Sequence, residues 1–69
     1  MSFVTSSRDV ATGLITLTQI DGQNLRSLTL APALSATLRP EHSPDEVWVV
    51  VMAEPTLILR DETDTLGRP

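Results

Sequence analysis

A chain of 69 residues with a formal net charge of −4 and no cysteine is at most one small domain, and it has neither a disulfide framework nor thiolate metal ligands. A domain of this size buries only about 60% of the surface its unfolded chain exposes, so self-association is the remaining means of support. The basic residues are all Arg, dispersed at positions 8, 26, 39, 60 and 68; without a basic cluster, the chain is expected to bind neither nucleic acid nor an anionic membrane.

Residues 1–12, "MSFVTSSRDVAT", are rich in Ser and Thr and lack sustained periodicity. They read as an N-terminal arm, either a disordered start or one in which Phe3 and Val4 form an apolar anchor that docks on a neighbour. No basic start followed by an apolar stretch is present, so no secretory leader is expected and the default location is cytoplasmic.

A single small β domain is expected over 13–60. "LITLTQI", residues 14–20, sets Ile15 and Leu17 against Thr16 and Thr18, the period of a half-buried strand. Asp21-Gly22-Gln23-Asn24 supplies turn chemistry. "LRSLTL", residues 25–30, resumes the alternation, with Leu28 and Leu30 on one face and Ser27 and Thr29 on the other. Residues 14–30 therefore predict a β-hairpin. Residues 31–39 fit two patterns. Leu34, Ala36 and Leu38 alternate as in a strand, whereas Leu30, Leu34 and Leu38 repeat at helical spacing with Pro32 suited to a first turn. The reading leans to a strand or extended segment, since Pro40 limits any helix to a turn or two.

Ser43-Pro44-Asp45-Glu46 matches a helix-capping box, but "VWVVVM" behind it is crowded with β-branched residues that disfavour a helix. A type I turn with Pro44 and Asp45 at its centre is expected instead. Residues 46–52 and 56–60 then predict a second hairpin, with Pro55 marking the connection because it cannot donate to a ladder. Residues 61–69 read as an acidic, frayed C-terminal tail. Its Asp61, Glu62 and Asp64 lack the glycine-centred spacing of a calcium loop.

On a strand, Trp48, Val50 and Met52 point to one side and Val47, Val49 and Val51 to the other. Both sides are apolar, so the strand expects cover on both. The rest of the chain supplies about one layer, and a second copy is expected to supply the other. Burying three Val-sized side chains per subunit contributes on the order of 5 kcal/mol. Self-association is therefore assigned to Val47, Val49 and Val51 with Trp48. The fold expected is all-β or mainly β, a small barrel-like or sandwich domain of two hairpins plus a connecting segment, and oligomeric.

Catalytic inventory is short. His42 stands alone beside Glu41, no Ser lies in a Gly-x-Ser-x-Gly elbow, and Gly13, Gly22 and Gly67 form no phosphate-cradling loop. No enzyme activity, cofactor or metal is expected. The favoured function is a non-catalytic interaction or accessory module that self-associates and binds a protein partner, of a kind that bacterial or phage genomes encode. The alternative is an oligomeric sensor or sequestering protein for a small ligand or anion, with Arg26, Arg39 or Arg60 at subunit interfaces, where the planar guanidinium suits carboxylates and phosphates.

"LITLTQIDGQNL" followed by "EVWVVVMAEPTLIL" resembles the small flagellum-associated FlbD-like family, whose members open with a strand of the form hydrophobic-x-Leu-Thr-x-hydrophobic-Asn-Gly and continue with a second hairpin. Leu17, Thr18, Ile20 and Gly22 match, Asp21 replaces the Asn, and Ala53-Glu54-Pro55 departs from the family's second turn. The resemblance spans residues 14–60 and implies a small β protein.

Overall fold

The structure, a computed structural model, describes residues 2–65, with side chains through residue 63. Within the expected hairpin, β2 (Ile15–Asp21) and β3 (Asn24–Leu30) pair antiparallel with Leu17 opposite Leu28 and Asp21 opposite Asn24. The turn between them is Gly22-Gln23. Gly22 has φ +61° and, among the described residues, no non-glycine residue has positive φ, so the turn is of the II′ kind, with glycine at its first central position. The residues shared with the FlbD-like pattern, Leu17, Thr18, Ile20 and Gly22, lie on β2 and in this turn.

Alternation in this hairpin divides the sheet as expected. Ile15, Leu17, Leu28 and Leu30 are buried on one face. On the other, Thr16 and Thr29 hydroxyls approach to 3.4 Å and Thr18 and Ser27 to 3.2 Å, cross-strand pairs that tie the polar face together.

Two outer strands complete a mainly β domain whose sheet order is β1-β2-β3-β4. The expected arm is instead β1 (Ser2–Arg8), paired with β2 from Ser2 opposite Asp21 to Arg8 opposite Ile15. The start of the expected tail belongs to β4 (Ile58–Thr65), which pairs with β3 and places Asp61 opposite Leu28; residues 66–69 lie outside the described residues. Both segments are polar because edge strands meet little of the core, and backbone pairing needs no apolar side chain. The sheet is open, with β1 and β4 as its edges. It closes into neither a barrel nor a sandwich.

The largest departure lies between β3 and β4. The expected strand at 31–39 is helix α1 (Pro32–Thr37), and the expected strand at 46–52 is helix α2 (Pro44–Ala53), followed by a short 3-10 helix at Pro55–Leu57. The second hairpin therefore does not form. Ser43 is the N-cap of α2 in extended conformation, its carbonyl accepts from the Val47 N–H at 3.1 Å, and Asp45 and Glu46 sit in the first turn, where carboxylates complement the helix dipole. The capping-box pattern thus marked a real helix start, although no side-chain cap bond is made. Pro55 ends the helix rather than a strand.

Packing explains why β propensity lost. Four Val residues in α2 cost together about 2 kcal/mol relative to Ala. Burying Val47, Trp48 and Val51 against the sheet contributes about 1.5–3 kcal/mol per side chain. The apolar face of the hairpin needs a lid, and a helix turns Val47, Trp48 and Val51 towards it together, whereas a strand would point Trp48 away from the two valines. Leu34 in α1 and Leu38 at its C-cap pack on the edge of the same cluster, in keeping with the helical spacing seen in the sequence.

Ser35 is 1% exposed. Its hydroxyl accepts from the Ile15 N–H at 3.1 Å and donates to the Leu30 carbonyl at 3.3 Å, joining α1, β2 and β3. The helical insert leaves and rejoins the sheet at one place, where the Ala31 N–H donates to the Leu57 carbonyl at 2.8 Å.

Helix and strand place Val49 and Val51 differently, so truncation separates them. Val51→Ala should lower stability by about 2 kcal/mol and Val49→Ala by less than about 0.5 kcal/mol, read from urea unfolding midpoints; equal losses would contradict the helix. Ser35→Ala should cost about 1–3 kcal/mol, because it leaves the buried Ile15 N–H without a partner.

Candidate self-association surface

The helix α2 is apolar on two sides. Val47, Trp48 and Val51 face the sheet and are at most 8% exposed, while Val49, Val50 and Met52 are 67%, 49% and 40% exposed. On a helix, residues 47 and 51 share one side and residue 49 lies away from them. Three of the four residues assigned to self-association, Val47, Val51 and Trp48, therefore belong to the chain's own core. Val49 alone of that set is on the surface, and Val50 and Met52 join it. The strand period had paired Val49 with the wrong neighbours; a helical period over the same letters identifies the outward set.

A helix that is hydrophobic all round normally has cover on every side. A soluble helix with one free flank usually carries charge there. Here Glu46 and Glu54 bracket the outer face, and the stretch between them offers only Val, Met and Ala to solvent.

The three arginines considered for anion contacts have separate fates. Arg26 forms a two-pronged pair with Asp61, Nη2 to Oδ2 at 2.7 Å and Nε to Oδ1 at 3.4 Å, and its guanidinium lies 5.9 Å from the Trp48 ring centre. The Arg26 hydrogen bond is the main cause holding the Asp61 carboxyl below its ordinary range. Arg60 pairs with Glu62 at 2.9 Å. Both cations are thus neutralised on the sheet. Arg39 has no carboxylate partner among the described residues; it lines an open cavity of about 210 Å3 with Arg8 and His42.

Searches against protein-family models, curated proteins and solved structures find no match for this chain.

Chemistry at the remaining candidates is limited. Asp61 and Glu62 are engaged by arginines, and the Asp64 side chain lies outside the described residues. Among the described residues, no group of three or more His, Cys, Asp or Glu is placed to hold a metal ion. His42 Nδ1 accepts from the Arg39 N–H at 2.9 Å, so the ring is held by backbone and not by Glu41 or Asp45. No helix among the described residues is long and apolar enough to cross a membrane.

Asp61 supplies a test of the Arg26 pair. Its folded carboxyl titrates below the unfolded value of about 3.9, so the pair stabilises the fold above that pH and the contribution is lost as pH falls through the folded value. Asp61→Asn should cost about 0.5–1 kcal/mol at pH 7, the modest worth of a half-exposed pair. The difference from wild type should shrink towards zero below about pH 3, as measured by denaturant melts across pH.

Proposed function

We propose that this chain is a non-catalytic interaction module that self-associates through the outer face of α2 and presents the assembled surface to a protein partner. The carrying observation is the exposure of Val49, Val50 and Met52 on a helix whose opposite side is already the core. The occupant most consistent with that face is a second copy of the same helix. Two such helices would meet isologously about a two-fold axis, each covering the other's Val and Met side chains. A thin single-sheet core gives the assembly a thermodynamic role as well, because binding that is specific to the folded state stabilises it.

A second reading, an oligomeric sensor or sequestering protein for a small anion, is favoured by one observation. Arg39 faces a cavity that also holds Arg8 and His42, whereas Arg26 and Arg60 are already paired with carboxylates.

Sedimentation equilibrium or light scattering at micromolar concentration tests the first reading. Wild type is expected to run as an oligomer and Val49→Glu as a monomer that keeps its far-ultraviolet circular dichroism, since Val49 contributes nothing to the core. A monomeric wild type would remove the basis of the proposal.

A further inference from the structure

The cavity at Arg39 is built by a closed turn. The His42 N–H donates to the Arg39 carbonyl at 3.0 Å, and the Arg39 N–H donates to His42 Nδ1 at 2.9 Å. Pro40 occupies the position of this turn that favours its fixed φ. The two bonds clip residues 39 and 42 together and fix the imidazole: with Nδ1 accepting, the neutral ring carries its hydrogen on Nε2, which remains a donor.

Arg8 faces the turn across the cavity, from the end of β1. Its Nη1 donates to the Gly13 carbonyl at 2.8 Å and its Nη2 to the Ser35 carbonyl at 3.3 Å. Those acceptors hold the guanidinium in place without neutralising it. Among the described residues, neither Arg8 nor Arg39 has a carboxylate within ion-pair distance, while Arg26 and Arg60 each have one. Two uncompensated guanidiniums and an imidazole donor thus line one cavity of a chain whose net charge is −4, and no carboxylate is among its lining residues.

Next to these cations the lining turns apolar. A smaller space of about 40 Å3 shares Ser6, Ile15, Leu38, Arg39 and His42 with the larger cavity and adds Leu17, Pro44 and Val47. A ligand fitting both parts has a charged head and a short apolar tail. The head suits a carboxylate better than a phosphate. The guanidinium fork matches two carboxylate oxygens, whereas phosphate sites commonly rely on several free backbone N–H groups; of the three N–H groups of this turn, those of Arg39 and His42 are bonded within it, which leaves that of Glu41.

We propose that this cavity binds a small aliphatic carboxylate, with Arg39, Arg8 and His42 Nε2 at its head and Leu17, Leu38 and Val47 around its tail. The inference gives the anion-sensor reading a site and a ligand class and rests on that reading; it is independent of self-association through α2. Fixed donors suit such a site, because the cost of ordering them is met during folding.

The test is a nitrogen–proton NMR titration of the full chain with sodium formate, acetate, propionate and butyrate at constant ionic strength, with inorganic phosphate as comparator. Saturable shifts are expected at the amides of Ser6–Arg8 and Leu38–His42. Affinity should rise about threefold to fourfold per added methylene, and Arg39→Gln should weaken butyrate binding at least tenfold while leaving the rest of the spectrum in place. Arg39 is the informative position because its side chain makes no hydrogen bond among the described residues, so its loss does not threaten the fold. A flat chain-length series, phosphate binding as tight as butyrate, or wild-type affinity in Arg39→Gln would each overturn the proposal. Saturable shifts confined to another surface would overturn this site while leaving an anion sensor standing, and the absence of any saturable shift would remove both.

Discussion

Val47, Trp48 and Val51 on α2 press against Leu17, Leu28 and Leu30 of the central hairpin, and among the described residues this is where the helical layer and the sheet share a fully buried apolar contact. A hairpin alone is marginal in water, and flanking it with polar edge strands adds hydrogen bonds but little burial. Covering its leucine face is what makes a folded state worth its conformational entropy. The remaining architecture follows from that need. The chain must leave β3, cross the apolar face as a helix, and return beside the strand it left. Ser35 fastens the departure, and Pro55 stops α2 where the return begins.

The parts readable in the sequence were those whose information is local. The 14–30 hairpin announces itself through strict alternation and a glycine-bearing turn, and both its register and its buried face came out as the letters imply. The Val run carried two conflicting signals, a capping box ahead of it and β-branched crowding within it. Propensity pointed to a strand, and tertiary burial decided for a helix. The sequence does not reveal how much a lid over Leu17 and Leu28 is worth until the sheet is assembled. The outer strands were hidden for another reason. "SFVTSSR" and "RDETDT" look like an arm and a tail because, Phe3 and Val4 apart, their side chains are polar, and their place depends on edges that exist only once the hairpin is formed. Excess hydrophobicity around residues 47–52 was legible. Which of these residues face outward depended on the helix, which leaves Val49, Val50 and Met52 exposed.

Charge is arranged with the same economy. Arg26 on β3 reaches Asp61 on the neighbouring strand β4, and Arg60 pairs with Glu62 two residues along its own strand. Arg8 and Arg39 come from segments far apart in the chain and meet only backbone and one imidazole, so their common cavity had no sequence signature. Dispersed arginines gave the appearance of an unremarkable surface. In three dimensions, among the described residues, Arg26 and Arg60 are paired with carboxylates, whereas Arg8 and Arg39 are not.

The bond from the Ala31 N–H to the Leu57 carbonyl makes the whole helical layer an excursion with touching ends. Seen from the sheet, β3 and β4 are neighbours joined almost as a hairpin would join them, and the distance between them along the chain is spent elsewhere. Such a design uncouples two kinds of change. The outward residues of α2, Val49, Val50 and Met52, can be exchanged while Val47, Trp48 and Val51 keep the lid in place and the strand register stays fixed by its own ladder and by that closing bond. The meander is thus a frame on which the exposed layer is free to diverge.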